Sequence, residues 1–238
     1  MSALHEVLHF AAGGKLERIC LAGAPNLLHE WPWDVQLDGT AFRPAGWDEC
    51  FPTIEAYGDC PVMGELVAQA PALTWAGAGV EQVWQGRTYE ARRRFALVAP
   101  RRLDMTFSVT NDAPRPMEFL WASHALFPLQ GLQAAQCRRA EWLRDFAADR
   151  SERKLFVPGG HPVQLVYSRY RLMLTTDQPW WGIWINRGGW PADAPEPLCC
   201  VGIEATNTPA EQPKGQWLAG GATFWGKVKL ELHLELST

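Results

Sequence analysis

Residues 228–236 alternate strictly. Val228, Leu230, Leu232, Leu234 and Leu236 are apolar, and Lys229, Glu231, His233 and Glu235 between them are polar. Successive side chains of a β-strand point to opposite faces, so this segment reads as a strand with one face on a core and the other in water. His233 then falls on the wet face, as a spectator. Residues 103–110 repeat the pattern, with Leu103, Met105, Phe107 and Val109 set against Asp104, Thr106, Ser108 and Thr110. Asn111–Asp112–Ala113–Pro114 reads as a turn, and Met117–Trp121 resumes an extended run, so these two runs are expected to pair as a hairpin.

Further period-two or short apolar runs occur at 16–21, 80–84, 94–98, 163–167, 170–175, 181–185 and 199–204, with glycine and proline between them. Residues 131–150 give the one helix expectation. Many short strands, no internal repeat and no linker predict an all-β chain: a large antiparallel β-sandwich or barrel-like double sheet, with residues 1–238 as a single domain. A chain of 238 residues buries enough surface to need no staple.

Charge excludes some partners. Lys plus Arg number 22 and Asp plus Glu 26, a formal net charge of −4, which gives nucleic acid no reason to bind. In Arg92–Arg93–Arg94, an extended backbone would send Arg92 and Arg94 one way and Arg93 the other, and a solvated face is the expected reading. The six cysteines lack metal-site spacing and the six histidines are scattered, so no metal is expected. No basic region followed by an apolar segment opens the chain, and no apolar run is long enough to span a bilayer, so reduced thiols and a cytoplasmic location are expected.

Four segments carry chemistry. In Gly46–Trp47–Asp48–Glu49–Cys50–Phe51–Pro52, an acid pair sits between aromatic groups. It is either a loop with two solvated acids or part of a site. In Trp121–Ala–Ser–His124–Ala–Leu–Phe127, an imidazole ends an apolar run, as a satisfied core residue or as a ligand or proton carrier. Trp180–Trp181–Gly182–Ile183–Trp184–Ile185–Asn186–Arg187–Gly188–Gly189–Trp190 holds four of the chain's 13 tryptophans. Indole faces suit the C–H faces of sugars, and Asn and Arg suit their hydroxyls. In Cys200–Val–Gly–Ile–Glu204–Ala–Thr206–Asn207, a carboxylate ends an apolar strand. It is either buried and partnered or loop-facing and solvated. No phosphate-binding glycine motif and no G-x-S-x-G elbow is present.

Taken in order, these segments resemble the aldose 1-epimerase (galactose mutarotase-like) family over most of the chain. Gly14–Lys15–Leu16 through Asn26–Leu27–Leu28 is similar to the family's first hairpin. Thr110–Asn111 through His124–Ala–Leu–Phe127–Pro–Leu129 resembles its N…H-x-Y-F-N-L strand pair, with Leu126 at the usual tyrosine and Pro128 at the usual asparagine. Gly182–Ile183–Trp184, Gly188–Gly189–Trp190–Pro191 and Gly202–Ile203–Glu204 resemble the strands leading to the catalytic glutamate, and Leu218–Ala219–Gly220 resembles the closing turn. Asp59–Cys60–Pro61–Val62–Met63–Gly64–Glu65 departs from the family's D-H-G-E segment, with Met63 where a substrate-binding histidine is usual. A thioether donates no hydrogen bond.

The resemblance implies interconversion of the anomers of an aldose or aldose derivative. Glu204 would take the anomeric proton, His124 would protonate the ring oxygen, and no cofactor would be needed. An upward pKa shift of His124 would favour its acid role. Asp48, Glu49, Met63, Arg94, Trp184 and Asn186 are the expected substrate contacts. The partner is a small-molecule carbohydrate, the chain is a monomer or homodimer, and neither nucleic acid nor membrane is involved. The rival readings are a noncatalytic sugar-binding or regulatory module using the same pocket, and a lyase or hydrolase on a similar sandwich that pairs Glu204 with Asp48 or Glu49.

Overall fold

A computed structural model of the chain describes residues 4–11, 14–37, 39–137, 140–141 and 150–234. In chain order the described strands are β1 (Leu8–Phe10), β2 (Leu16–Ile19), β3 (Val35–Leu37), β4 (Thr40–Phe42), β5 (Trp47–Cys50), β6 (Ala72–Ala76), β7 (Gly79–Gln85), β8 (Tyr89–Ala99), β9 (Arg102–Asn111), β10 (Met117–Glu118), β11 (Ala122–Pro128), β12 (Leu132–Cys137), β13 (Ala140–Glu141), β14 (Glu152–Pro158), β15 (Val163–Tyr167), β16 (Tyr170–Thr176), β17 (Trp180–Arg187), β18 (Cys199–Thr206), β19 (Trp217–Leu218) and β20 (Thr223–Leu234). Two large antiparallel sheets form. One runs β1-β2-β5-β11-β18-β17-β14 and the other β13-β12-β15-β16-β20-β9-β8-β7-β6. Among the described residues no helical core lies between them, as the alternation predicts.

The core is the space between the sheets. Val228, Leu230 and Leu232 of β20 and Leu103, Met105, Phe107 and Val109 of β9 are buried there, each side chain gaining about 1.5–3 kcal/mol from burial. From the other sheet come Trp47, Trp121, Trp181, Ile183, Ile185, Val201 and Ile203. The sheets meet through aromatic contacts, with Phe107 stacked on Trp121 at 5.1 Å and Trp47 edge-on to Phe95 at 5.4 Å. His233 is exposed, as expected. Leu234 is 40% exposed and lies past the covered part of its strand, and Leu236 falls outside the described residues.

Four expectations are corrected. β9 does not pair with 117–121. Its neighbours are β8 and β20, while Met117–Glu118 pairs with Trp217–Leu218. The Asn111 side chain donates to the carbonyls of Arg115 and Leu218 at 2.9 Å each, which turns the chain towards that distant partner. The first hairpin is β1 with β2, not residues 14 to 28. Asn26 is a brace, accepting the Ile19 and Leu28 amides on its Oδ1. Residues 132–137 of the expected helix are the strand β12, which has β15 as a long pairing partner. Residues 138–139 and 142–149 of that helix lie outside the described residues. Asp48 and Glu49 lie on a strand rather than a loop, and both are buried.

Arg92–Arg93–Arg94 does alternate, but only its outer members are solvated. Arg93 points into the core and is 1% exposed. Its guanidinium donates to Gln82 Oε1 at 2.8 and 2.6 Å, to the Trp47 carbonyl at 3.1 Å and to Glu49 Oε1 at 3.2 Å. Glu49 also accepts from Trp121 Nε1 at 2.7 Å and Ser123 Oγ at 3.0 Å. A charge-assisted network therefore stitches β8 to β5 and β11 across the apolar core, and its internal hydrogen bonds are what make a buried pair tolerable.

Candidate functional site

The alternation that sends odd-numbered residues of β11, β17 and β18 into the core sends the even-numbered ones to the opposite face. Register then places Asp48 (β5), His124 (β11), Glu204 (β18), Gly182 (β17) and Phe156 (β14) in one line across five adjacent strands. The next line holds Leu126, Gly202, Trp184 and Lys154. Two apolar clusters flank this face. One cluster gathers Phe42, Ile54, Met63 and Leu120, the other Trp31, Ala45, Leu126 and Leu198. Between them opens a cavity of about 510 Å³, lined by His124, Glu204, Lys154, Trp184, Trp190, Met63, Phe42 and Ile54, with Glu55, Glu152 and Glu211 among its acids. Pockets for small ligands are roughly 300–1,000 Å³.

Glycine makes room here. A methyl on Gly182 would stand 3.2 Å from Glu204 Oε2, and one on Gly202 would stand 3.6 Å from His124 Nε2. Both positions keep the sheet surface low beside the two titratable side chains.

Glu204 is fully buried and His124 is 6% exposed. His124 Nε2 lies 3.5 Å from Glu204 Oε1, and Lys154 Nζ lies 2.9 Å from Glu204 Oε2 and 2.8 Å from Glu211 Oε1. His124 Nδ1 is buried without a hydrogen-bond partner. Burial alone would push the Glu204 pKa up, but the Lys154 charge, helped by His124, brings it below the ordinary carboxylate value. Burial lowers the His124 pKa, more than the nearby Glu204 raises it. The direction is opposite to the upward shift that would favour the acid role: desolvation of the ring outweighs the carboxylate, part of whose field Lys154 cancels. For Lys154, burial lowers the pKa, but Glu204 and then Glu211 raise it above the ordinary value, so it is a permanent cation.

Of the residues singled out in the sequence, the fold brings His124, Glu204, Trp184 and Met63 together on the cavity wall. Trp184 is half-buried, donates from Nε1 to Glu152 Oε2 at 3.0 Å and packs edge-on to Trp190 at 5.9 Å. Met63 sits at φ 66° with its sulfur 3.9 Å from Cys50 Sγ.

The remaining four are placed elsewhere. Asp48 shares the His124 line, but its carboxylate is taken by Lys15 at 2.5 Å. Glu49 faces the inter-sheet core, because its neighbour Asp48 faces outwards. Arg94 is exposed on the outer face of the nine-stranded sheet. Asn186 is fully buried as a turn brace. Its Oδ1 accepts from Gly189 N at 2.9 Å and Trp190 N at 3.2 Å, and its amide donates to the Trp190 carbonyl, so it holds Trp190 in place rather than facing the cavity.

Lys154 and Glu211 were missed by sequence reasoning. Lys154 shares a face with Phe156 in 152–158, a run too mixed to stand out as a strand. Glu211 sits in the loop after β18. That loop is tied to the 53–55 segment because the Glu211 carbonyl accepts the Ile54 and Glu55 amides at 2.9 and 2.8 Å.

Among the described residues, no group of three or more His, Cys, Asp or Glu side chains is placed to hold a metal ion, and no helix is long and apolar enough to cross a membrane.

No family model and no curated protein matches the sequence. Solved structures do. A galactose mutarotase related enzyme from Lactobacillus acidophilus superposes with a TM-score of 0.67 at 12% identity, covering 97% of this chain and 95% of that one. A galactose 1-epimerase from the same species gives a TM-score of 0.63 at 13% identity, covering 94% and 90%. A Synechocystis protein gives a TM-score of 0.72 at 11% identity, covering 96% and 91%. The chain has the galactose mutarotase-like β-sandwich fold, at a sequence distance where only the fold is shared ground.

Proposed function

We propose that this chain interconverts the α and β anomers of an aldose or aldose derivative, with Glu204 as general base and His124 as general acid. One observation carries the reading: an imidazole and a carboxylate, both buried, face each other from neighbouring strands on the wall of a sugar-sized cavity. Glu204 takes the proton of the anomeric hydroxyl, the bond from C1 to the ring oxygen breaks, and that oxygen takes a proton from His124. The open aldehyde rotates about C1–C2, and the transfers reverse to close the other anomer. Nothing is oxidised or reduced, so the reaction requires proton carriers alone. Trp184 and Trp190 offer ring faces to the sugar's C–H surface, and neighbouring polar groups meet its hydroxyls.

The second reading is a noncatalytic carbohydrate-binding module in the same cavity. Met63 favours it, since a thioether on the cavity wall cannot donate to a sugar oxygen.

Polarimetry on freshly dissolved aldoses separates the two. The first reading expects faster relaxation to anomeric equilibrium with the wild type, lost in Glu204→Gln and His124→Ala. The binding module expects a sugar-dependent tryptophan fluorescence change and no acceleration. A panel that neither relaxes faster nor alters fluorescence contradicts both.

A further inference from the structure

We infer that Lys154, held between Glu204 and Glu211, is a positioning residue of this site: it fixes the Glu204 carboxylate against the cavity wall and keeps it in the charged form that can accept a proton. The inference rests on the reading of Glu204 as the base. The geometry is specific. Lys154 Nζ is 2.9 Å from Glu204 Oε2 and 2.8 Å from Glu211 Oε1, and only 14% of the lysine side chain is exposed. Two carboxylates on different elements, β18 and the loop that follows it, hold one ammonium from either side. An ammonium has three N–H donors, so two carboxylates do not exhaust it.

The need for such a group follows from burial. A carboxylate removed from water is driven towards its neutral form, and a neutral carboxyl cannot act as a base. The groups facing Glu204 from the packed elements show what else could hold its charge. From β11 there is His124, whose pKa burial lowers more than Glu204 raises it. From β5 there are the Cys50 thiol, whose pKa burial and then Glu204 itself push up, and Asp48, opposite His124. From β17 there is Gly182, which has no side chain. Lys154 on β14 is the permanent cation of this set.

Being tied to two anions also shapes what Lys154 can do. Its charge is already matched, so it is poorly suited to serve as a receptor for a substrate phosphate or carboxylate. When Glu204 accepts a proton, one of the anions holding the ammonium disappears. The electrostatic cost of neutralising Glu204 is thus felt directly at Lys154, which favours return of the proton in the closing half of the reaction.

The test is a carboxyl carbon NMR titration of glutamate-labelled full-length protein, with the Glu204 resonance assigned by its loss in Glu204→Gln. In Lys154→Met the Glu204 titration is expected to move up by roughly 1 pH unit or more, the size that an opposite charge at this range confers. Lys154→Arg is expected to restore most of the wild-type value. Lys154→Gln replaces the methionine variant should that one fail to fold. The acid limb of kcat/KM for anomer exchange should move with the titration. An unchanged Glu204 titration in a folded Lys154→Met or Lys154→Gln overturns the inference. A shifted titration in a protein whose wild type accelerates no sugar upholds the charge-holding role and removes the catalytic reading on which the rest depends.

Discussion

Oε1 of Glu204 and Nε2 of His124 lie 3.5 Å apart, on residues directly opposed in the antiparallel pairing of β18 with β11. At that distance the two titrate as a coupled pair, and both pKa values sit below their ordinary values of 4.5 and 6.5. The proposed reaction needs Glu204 charged, which holds above its lowered pKa, and His124 protonated, which holds below its lowered pKa. The pH profile of kcat/KM is therefore expected to be bell-shaped with its maximum on the acid side of pH 6.5. A maximum above neutrality would mean that the imidazole is not the acid.

Trp184 and Trp190 pack edge-on at 5.9 Å on the cavity wall. Removing one ring takes away a contact face without touching the proton carriers. Trp190→Ala is expected to weaken sugar binding about 2- to 12-fold, matching the roughly 0.5–1.5 kcal/mol that aromatic pair geometry contributes. The effect should fall on KM, with kcat altered less. Titration of tryptophan fluorescence with sugar checks it, and an unchanged affinity would place the sugar elsewhere.

The Glu49–Arg93 pair should register in stability rather than in catalysis. Burial, opposed by Arg93 and the hydrogen bonds from Ser123 and Trp121, pushes the Glu49 pKa from 4.5 up to about 7. The fold then binds a proton that the unfolded chain has released. The associated stability is fully present below pH 4.5 and is lost as pH rises through about 7. Glu49→Gln should remove that fall from the thermal melting profile across the same window. Arg93→Met breaks the buried pair from the other side and should cost about 3–5 kcal/mol in urea denaturation.

Gly226 on β20 lies under Trp121. A methyl there would come within 2.3 Å of the indole, on a ring that is fully buried and stacked on Phe107. Gly226→Ala is expected to destabilise by about 1–3 kcal/mol, the usual range for overpacking a filled core. Chemical denaturation measures it, and a neutral outcome would show that Trp121 can shift.

Much of this was written in local alternation. In residues 103–110 of β9 and 228–234 of β20, apolar and polar residues trade places at every step, so the strands and their inward faces follow from the residues themselves. Pairing partners did not follow. β10 lies against β19, about a hundred positions away, and nothing local in Met117–Glu118 announces that partner. The site was half legible. His124 and Glu204 stood out because each interrupts an apolar run, and an interrupted run is visible in sequence. Lys154 interrupts nothing. It sits among Glu152 and Arg153 like any surface lysine, and only the register of β14 with β17 turns it onto Glu204. Arg93 misled for the opposite reason. Three arginines in a row look solvated, and two of its core partners, Trp47 and Glu49 on β5, are far off in sequence.

The proposed exchange is measured most directly at equilibrium, by magnetisation transfer between the α and β anomeric protons of an aldose in two-dimensional exchange NMR. With wild-type protein the account predicts exchange cross-peaks between the two anomers, absent for sugar alone at the same mixing time and absent with Glu204→Gln. The loss should be on the order of 10²–10⁴-fold in rate for removal of one proton carrier. No protein-dependent cross-peak with any aldose that quenches the tryptophans, or a Glu204→Gln variant as fast as wild type, would contradict it.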